Sequence, residues 1–364
     1  MQKIRFIEKQ KEKALFSGTL RKRVDEYFKS SKISRNYNRQ MLVKTLVLLS
    51  AYIIPFFCIL FMNLPFPISM ALWTLMGFSV AGVGMSVMHD ANHGSYSRNT
   101  KVNYFMSYTL NLLGGSVFNW KLQHNVLHHT YTNITDHDDD IENKLIFRFS
   151  PHKKVKWFHR FQFVYAFFFY GVLTLFWVLV KDFVQFIKYQ QRGVNNNNKK
   201  QNAFILLRII AAKICYLFVF LVIPIFILNH PASEYIPGFL LMHFIAGIIL
   251  TVVFQLAHTV EHASHPMPDQ SGTIENSWAI HQLNTTVNFS RHNRIISWYV
   301  GGLNFQVEHH LFPDICHVHY PAIAPIVKQT AEEFGIPYLE NETLAKALGS
   351  HVTLLRRLGK TVPV

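Results

Sequence analysis

The chain has 364 residues, 50% of them hydrophobic, with only 16% charged residues and a mean hydropathy of +0.14, which excludes an ordinary soluble domain and points to an integral membrane protein with sizeable aqueous portions. The formal net charge of +15 sits on Lys and Arg that flank apolar segments, so anionic headgroups on a cytoplasmic face account for it better than nucleic acid does. Cys58, Cys215 and Cys316 form no Cys-x-x-Cys pair, which excludes a disulfide framework and a thiolate zinc site.

Taken in order, residues 1–40 read as a basic cytoplasmic arm with a weak amphipathic stretch at Val24 to Phe28 and no signal peptide. Membrane spans are predicted over 41–61, 68–88, 203–228 and 237–257. At about 1.5 Å per residue each can cross a hydrocarbon core of about 30 Å. Segment 102–118 is apolar but broken by Asn111 and Gly114-Gly115, which suits a half-inserted helix. The stretch from Asp136 to Glu142 is acidic, and the linker Gln190 to Gln201 is polar and aqueous. Residues 331–364 form a cytoplasmic tail after a membrane domain over 41–330.

Three histidine clusters stand beside the apolar runs: His89 and His93, then His124, His128 and His129, then His309 and His310 after Gln306. A single histidine reads as an ordinary hydrogen-bonded residue; three clusters at helical spacing beside membrane segments read as a metal site. Positions i and i+4 share a helical face, so His89 pairs with His93 and His124 with His128, while His129 points about 100° away. Seven imidazoles exceed the capacity of one ion, and imidazole suits Zn, Cu, Fe and Ni. Oxidative chemistry in an apolar setting calls for iron and O₂, since zinc has no redox chemistry. To meet, the clusters must emerge on one side of the membrane. Segment 161–180 is therefore predicted to lie along the interface or fold back, leaving four crossings with both termini cytoplasmic. The fold class is thus an all-α integral membrane protein whose cytoplasmic helical cap holds a di-metal histidine site.

The three clusters resemble the histidine boxes of the membrane fatty acid desaturases in type, order and spacing, and the resemblance runs from about residue 40 to 330. It implies two Fe ions with O₂ as co-substrate, formation of a cis double bond in a fatty acyl-CoA or membrane acyl-lipid, and reduction of O₂ to water. Gln306 in place of a box-three histidine is similar to front-end desaturases, including linoleoyl-CoA desaturases. The chain shows no His-Pro-Gly-Gly haem motif, so a separate electron donor of the cytochrome b5 or ferredoxin type is expected. Family members take a further ligand from the end of the fourth span; His262 is expected in that role, with His258 as a water-mediated partner and His281 as a weaker candidate. Carboxylates Asp90, Asp138, Asp140 and Glu308 are expected to accept the outer N–H of ligating imidazoles. His137, His152, His159, His292, His317 and His319 lack the spacing and are expected at the surface. Alternatives are a hydroxylase or ketolase of the same superfamily, or a histidine-rich metal transporter.

Overall fold

A computed structural model describes residues 4–141 and 146–360; Glu142, the first three residues of the arm and the last four of the tail lie outside them. In chain order the main helices are α1 (Phe16–Ser31), α2 (Arg39–Phe61), α3 (Phe66–His93), α4 (Thr100–Ser107), α5 (117–131), α6 (Trp157–Gly171), α7 (Leu173–Gln191), α8 (Lys199–Ile227), α9 (Ala232–His258), α10 (Trp278–Thr285), α11 (Gln306–Leu311), α12 (Tyr320–Glu333) and α13 (Leu344–Leu358). Strand pairing is confined to two short parallel contacts, Arg5–Phe6 with Thr273–Ile274 and Asn288–Phe289 with Glu340–Asn341.

Among the described residues, α2, α3, α8 and α9 are the four helices long and apolar enough to cross a membrane. Their starts are written in the sequence. The Asn38 side chain accepts from Met41 N at the head of α2. Pro65 precedes α3, with a proline in its first turn. Asn198 and Gln201 form a reciprocal capping box on α8. Exposed apolar side chains such as Leu46, Ile54 and Phe57 on α2, and Leu207 and Ile214 on α8, face outward, as a bilayer requires.

The spans meet through small residues. A Cβ on Gly77 of α3 would stand 2.8 Å from Met242 O of α9, so only glycine admits that helix contact. Trp73, Met76 and Met242 are fully buried beside it. On the opposite side of α9, a Cβ on Gly247 would stand 2.6 Å from the carbonyl oxygens of Tyr170 and Gly171, where α6 ends.

Segment 161–180 lies in α6 and α7, which together would be long enough for a fifth span but bend by 58° at their junction. Beyond the bend, a buried charge pair ties α7 to α8. Lys213 of α8 reaches Asp182 and also donates to the carbonyls of Gly114 and, at 2.8 Å, Trp177. Asp182 further accepts from Trp177 Nε1 at 3.2 Å, and its backbone carbonyl accepts from Asn119 Nδ2 at 2.7 Å.

Both ends of the chain pack onto the helical cap. Phe16, Leu20, Val24 and Phe28 recur every fourth residue, bury one face of α1, and join the core formed by Ile323, Val327 and Ala331 of α12. Helix α13 buries Leu354, Leu355, Leu358 and His351, and Leu355 joins Phe147, Phe149 and Tyr170 in one apolar cluster.

Candidate metal centre

The three histidine clusters converge. Side-chain nitrogens of His89 and His93 (end of α3), His124 (α5) and His309 (α11) all lie within 4.8 Å of one another. Those of His128, His258 and His310 form a second group of three, His129 joins His309 and His310 in a third, and His124 and His128 meet Asp140 in a fourth.

Local winding makes this possible. Lys121–His128 is a π-helix, with i to i+5 hydrogen bonding, rather than an α-helix. The wider turn brings His129 back over His124, with their Nε2 atoms 3.3 Å apart. His124 and His128 still share a face, their rings stacked 5.3 Å apart beside Asp140, while His124 also meets the first group and His128 the second.

A common orientation runs through the site. His128 Nδ1 donates to Asp138 at 3.0 Å, His310 Nδ1 to Gln282 Oε1 at 2.8 Å, His309 Nδ1 to the Tyr320 hydroxyl at 3.2 Å, and His258 Nδ1 to the Thr285 carbonyl at 3.3 Å. In each case Nε2 is buried without a hydrogen-bond partner; the same holds for His93 Nε2 and both ring nitrogens of His89. Unpaired buried polar atoms are costly and rare. Six imidazoles in one place, each with a spare lone pair, fit metal coordination. Burial, reinforced by the neighbouring rings, pushes His129, His309 and His310 well below the ordinary histidine range, so they stand neutral, the form that ligates. His128 is raised: burial pulls it down, but the carboxylates of Asp138 and Asp140 outweigh that.

Several sequence expectations need correction. His262 is exposed and belongs to none of these groups, whereas His258 is fully buried among the ligand atoms. The reason is that α9 ends at His258: Thr259 is non-helical, so the i, i+4 relation does not carry on to His262. Among the described residues Glu308 hydrogen-bonds no imidazole; it accepts from Asn288 Nδ2 at 3.0 Å and the Tyr338 hydroxyl at 2.7 Å. His137, His159, His317 and His319 are buried rather than superficial; His152 and His292 are exposed. His317 stands between Asp90 Oδ2 (2.8 Å from Nδ1) and Lys44 Nζ (2.7 Å from Nε2). Asp90 Oδ1 is in turn 3.6 Å from His89 Nδ1, and Asp140 Oδ2 is 3.6 Å from His124 Nδ1. His281 lies behind the site, its Nε2 donating to the Thr132 carbonyl at 2.9 Å. Sequence reasoning missed Gln282 and Tyr320, which carry no spacing signal. It also missed His351, whose Nδ1 donates to the Thr259 carbonyl at 2.7 Å and steadies the end of α9.

Beside the imidazoles lies a partly open pocket with an internal volume of about 160 Å³. Its apolar walls come from Met85 and Met88 of α3, Leu250 and Phe254 of α9, and Leu173 and Trp177 of α7, with Gln123, Asp140 and Lys181 as polar members. His89, His124, His309 and Gln306 line it, so the histidine cage opens onto a mainly apolar pocket. Trp120 closes one side, its ring 4.5 Å from that of His124.

Fold and site together define a helical membrane protein with a polyhistidine metal centre facing a hydrophobic pocket. The family model for fatty acid desaturases matches residues 64–341. The chain is 36% identical over 343 residues to an sn-1 linoleoyl-lipid 6-desaturase of Arthrospira platensis, covering 94% of this chain and 92% of that protein. It is 33% identical over 348 residues to an enzyme of the same name from Synechocystis, covering 95% and 96%. An acyl-lipid (8-3)-desaturase of Physcomitrium patens is 35% identical over 350 residues, covering 95% of this chain and 72% of that protein. The chain belongs to the fatty acid desaturase family, on its front-end branch. It is an oxidoreductase, and these relatives favour desaturation over the hydroxylase, ketolase and transporter alternatives.

Proposed function

We propose that the enzyme inserts a cis double bond into a membrane acyl-lipid, between an existing double bond and the carboxyl end, using two iron ions and O₂. One ion would be held by His89, His93, His124 and His309, the other by His128, His258 and His310, with His129 between them. The observation that carries this reading is the set of inward-facing, unpartnered Nε2 atoms. When bound, the iron pair would supply the activation of O₂ and the abstraction of hydrogen from two adjacent methylenes. The chain's own residues do the rest. Asp138, the Gln282 side-chain oxygen and the Thr285 carbonyl fix the tautomer and tilt of their rings, and Tyr320 holds the tilt of His309. Met85, Met88, Leu173 and Phe254 hold the acyl chain beside the cage and exclude water from it. The lipid headgroup is preferred to CoA because the relatives act, by name, on acyl-lipids. The active site faces the cytoplasm, where a separate one-electron carrier of the cytochrome b5 or ferredoxin type supplies the reducing electrons.

Purified protein is expected to hold about two irons per chain, as the number of imidazoles implies. A host expressing it and fed linoleate should gain a fatty acid with one further double bond nearer the carboxyl group. A product heavier by one oxygen, or one iron per chain at full activity, would refute the assignment.

A further inference from the structure

A second pocket lies on the far side of the wall that carries the third histidine box. Leu303, Gln306 and His309 face the acyl cavity, whereas Gly302 and Phe305 face this one. Its other walls come from the start of α2 (Gln40, Lys44), segment 291–298 and segment 317–325. Lys44, Arg291 and Arg294 line it, and no carboxylate does among the described residues. Arg291 is tied to Glu340 at 2.5 Å, and Lys44, almost fully buried, is bonded to His317 and lies 5.4 Å from the Trp298 ring. Arg294 is exposed and has no ionic partner among the described residues.

The surroundings place this pocket against lipid. The hydroxyl of Tyr299 donates at 2.9 Å to the carbonyl of Phe78, in the middle of α3, so segment Arg294–Tyr299 reaches down alongside a span. Ile295 in that segment is 81% exposed and Phe78 is 45% exposed, an arrangement suited to hydrocarbon and not to water. Trp298, which lines the pocket, is a residue type that settles at the headgroup level.

We infer that this pocket binds the phosphate of an anionic glycerophospholipid, as a lipid site separate from the substrate cavity. With Arg291 held by Glu340 and Lys44 by His317, the exposed Arg294 beside His292 supplies the phosphate contact at the pocket mouth, and basic pockets between spans hold anionic headgroups. The bound lipid's acyl chains would lie along Ile295 and the outer face of α3.

The test uses the full chain in nanodiscs of mixed phosphatidylglycerol and phosphatidylcholine, extracted into detergent and weighed intact by native mass spectrometry. Wild type should retain phosphatidylglycerol over phosphatidylcholine. The double variant Arg294→Ala/His292→Ala changes only exposed side chains and should lose retention at least fivefold. Lys44→Met should lose it too, if it folds. Inorganic phosphate at millimolar concentration should not displace the lipid, because it lacks the acyl chains. Equal retention in the double variant, no preference between the two lipids, or full displacement by inorganic phosphate would each overturn the inference. None of these readouts depends on iron or on desaturation, so the proposed reaction stands or falls separately.

Discussion

Asp138→Asn isolates the part of the site that the protein controls. Both carboxylate oxygens of Asp138 lie 3.0 and 3.1 Å from His128 Nδ1, and they also accept from the backbone N–H of Asn133 at 2.9 Å and Asp140 at 3.0 Å. The side chain is fully enclosed. As a carboxylate it accepts the Nδ1 proton and leaves Nε2 free to ligate. An asparagine fills the same space but offers only one accepting oxygen, and its NH₂ would face either the ring N–H or a backbone N–H. Loss of such an outer partner costs roughly 10–100-fold in metal affinity or activity, about 1.4–2.8 kcal/mol. We expect iron occupancy after dialysis against a weak chelator to fall by that factor, with the helical circular dichroism unchanged. Wild-type iron retention and turnover in Asp138→Asn would refute the claim that this carboxylate sets the tautomer of His128.

Three further outcomes follow from the geometry. His258→Ala should abolish desaturation and lower iron content, while His262→Ala should leave both as in wild type, each read from product chromatography and metal analysis. Lys213→Met leaves the buried Asp182 carboxylate unpaired, which costs about 3–5 kcal/mol, so the thermal midpoint should drop; Lys213→Met with Asp182→Asn should recover part of it. Leu355→Ala empties a fully buried site against Phe147 and Tyr170, and should destabilise by about 2–5 kcal/mol, measured as a lower midpoint of thermal aggregation in detergent.

The spans were legible because hydropathy reports a long apolar run directly, and α2, α3, α8 and α9 fall where the runs do, give or take a few residues. The histidine boxes were legible for a similar reason: spacing is a local property. What failed was continuity. His262 looked equivalent to His258 only if the helix went on, and nothing in Thr259-Val260-Glu261 announces its end. Glu308 sits between two box residues, yet α11 turns it towards Asn288 and Tyr338, because alternate faces of a short buried helix meet different neighbours. His317 and Lys44 are 273 positions apart, and their contact is a product of tertiary packing alone. The four-residue repeat of Phe16, Leu20, Val24 and Phe28 could have revealed α1 as a docked helix rather than a loose arm.

The wide turn of residues 121–128 has a consequence for how this stretch can vary. Because it holds more residues per turn than its flanks, its rings are indexed by count as much as by identity. Deleting one residue there would be absorbed if the coil tightened to the common pitch, and would swing every later side chain by about 100° if the pitch stayed as it is. Exchanges at Asn125 or Val126 would leave the register intact, whereas a one-codon loss would keep His128 and His129 in place only by rewinding the whole segment as an ordinary α-helix. Libraries built on this enzyme should therefore vary the letters of that segment and never its length.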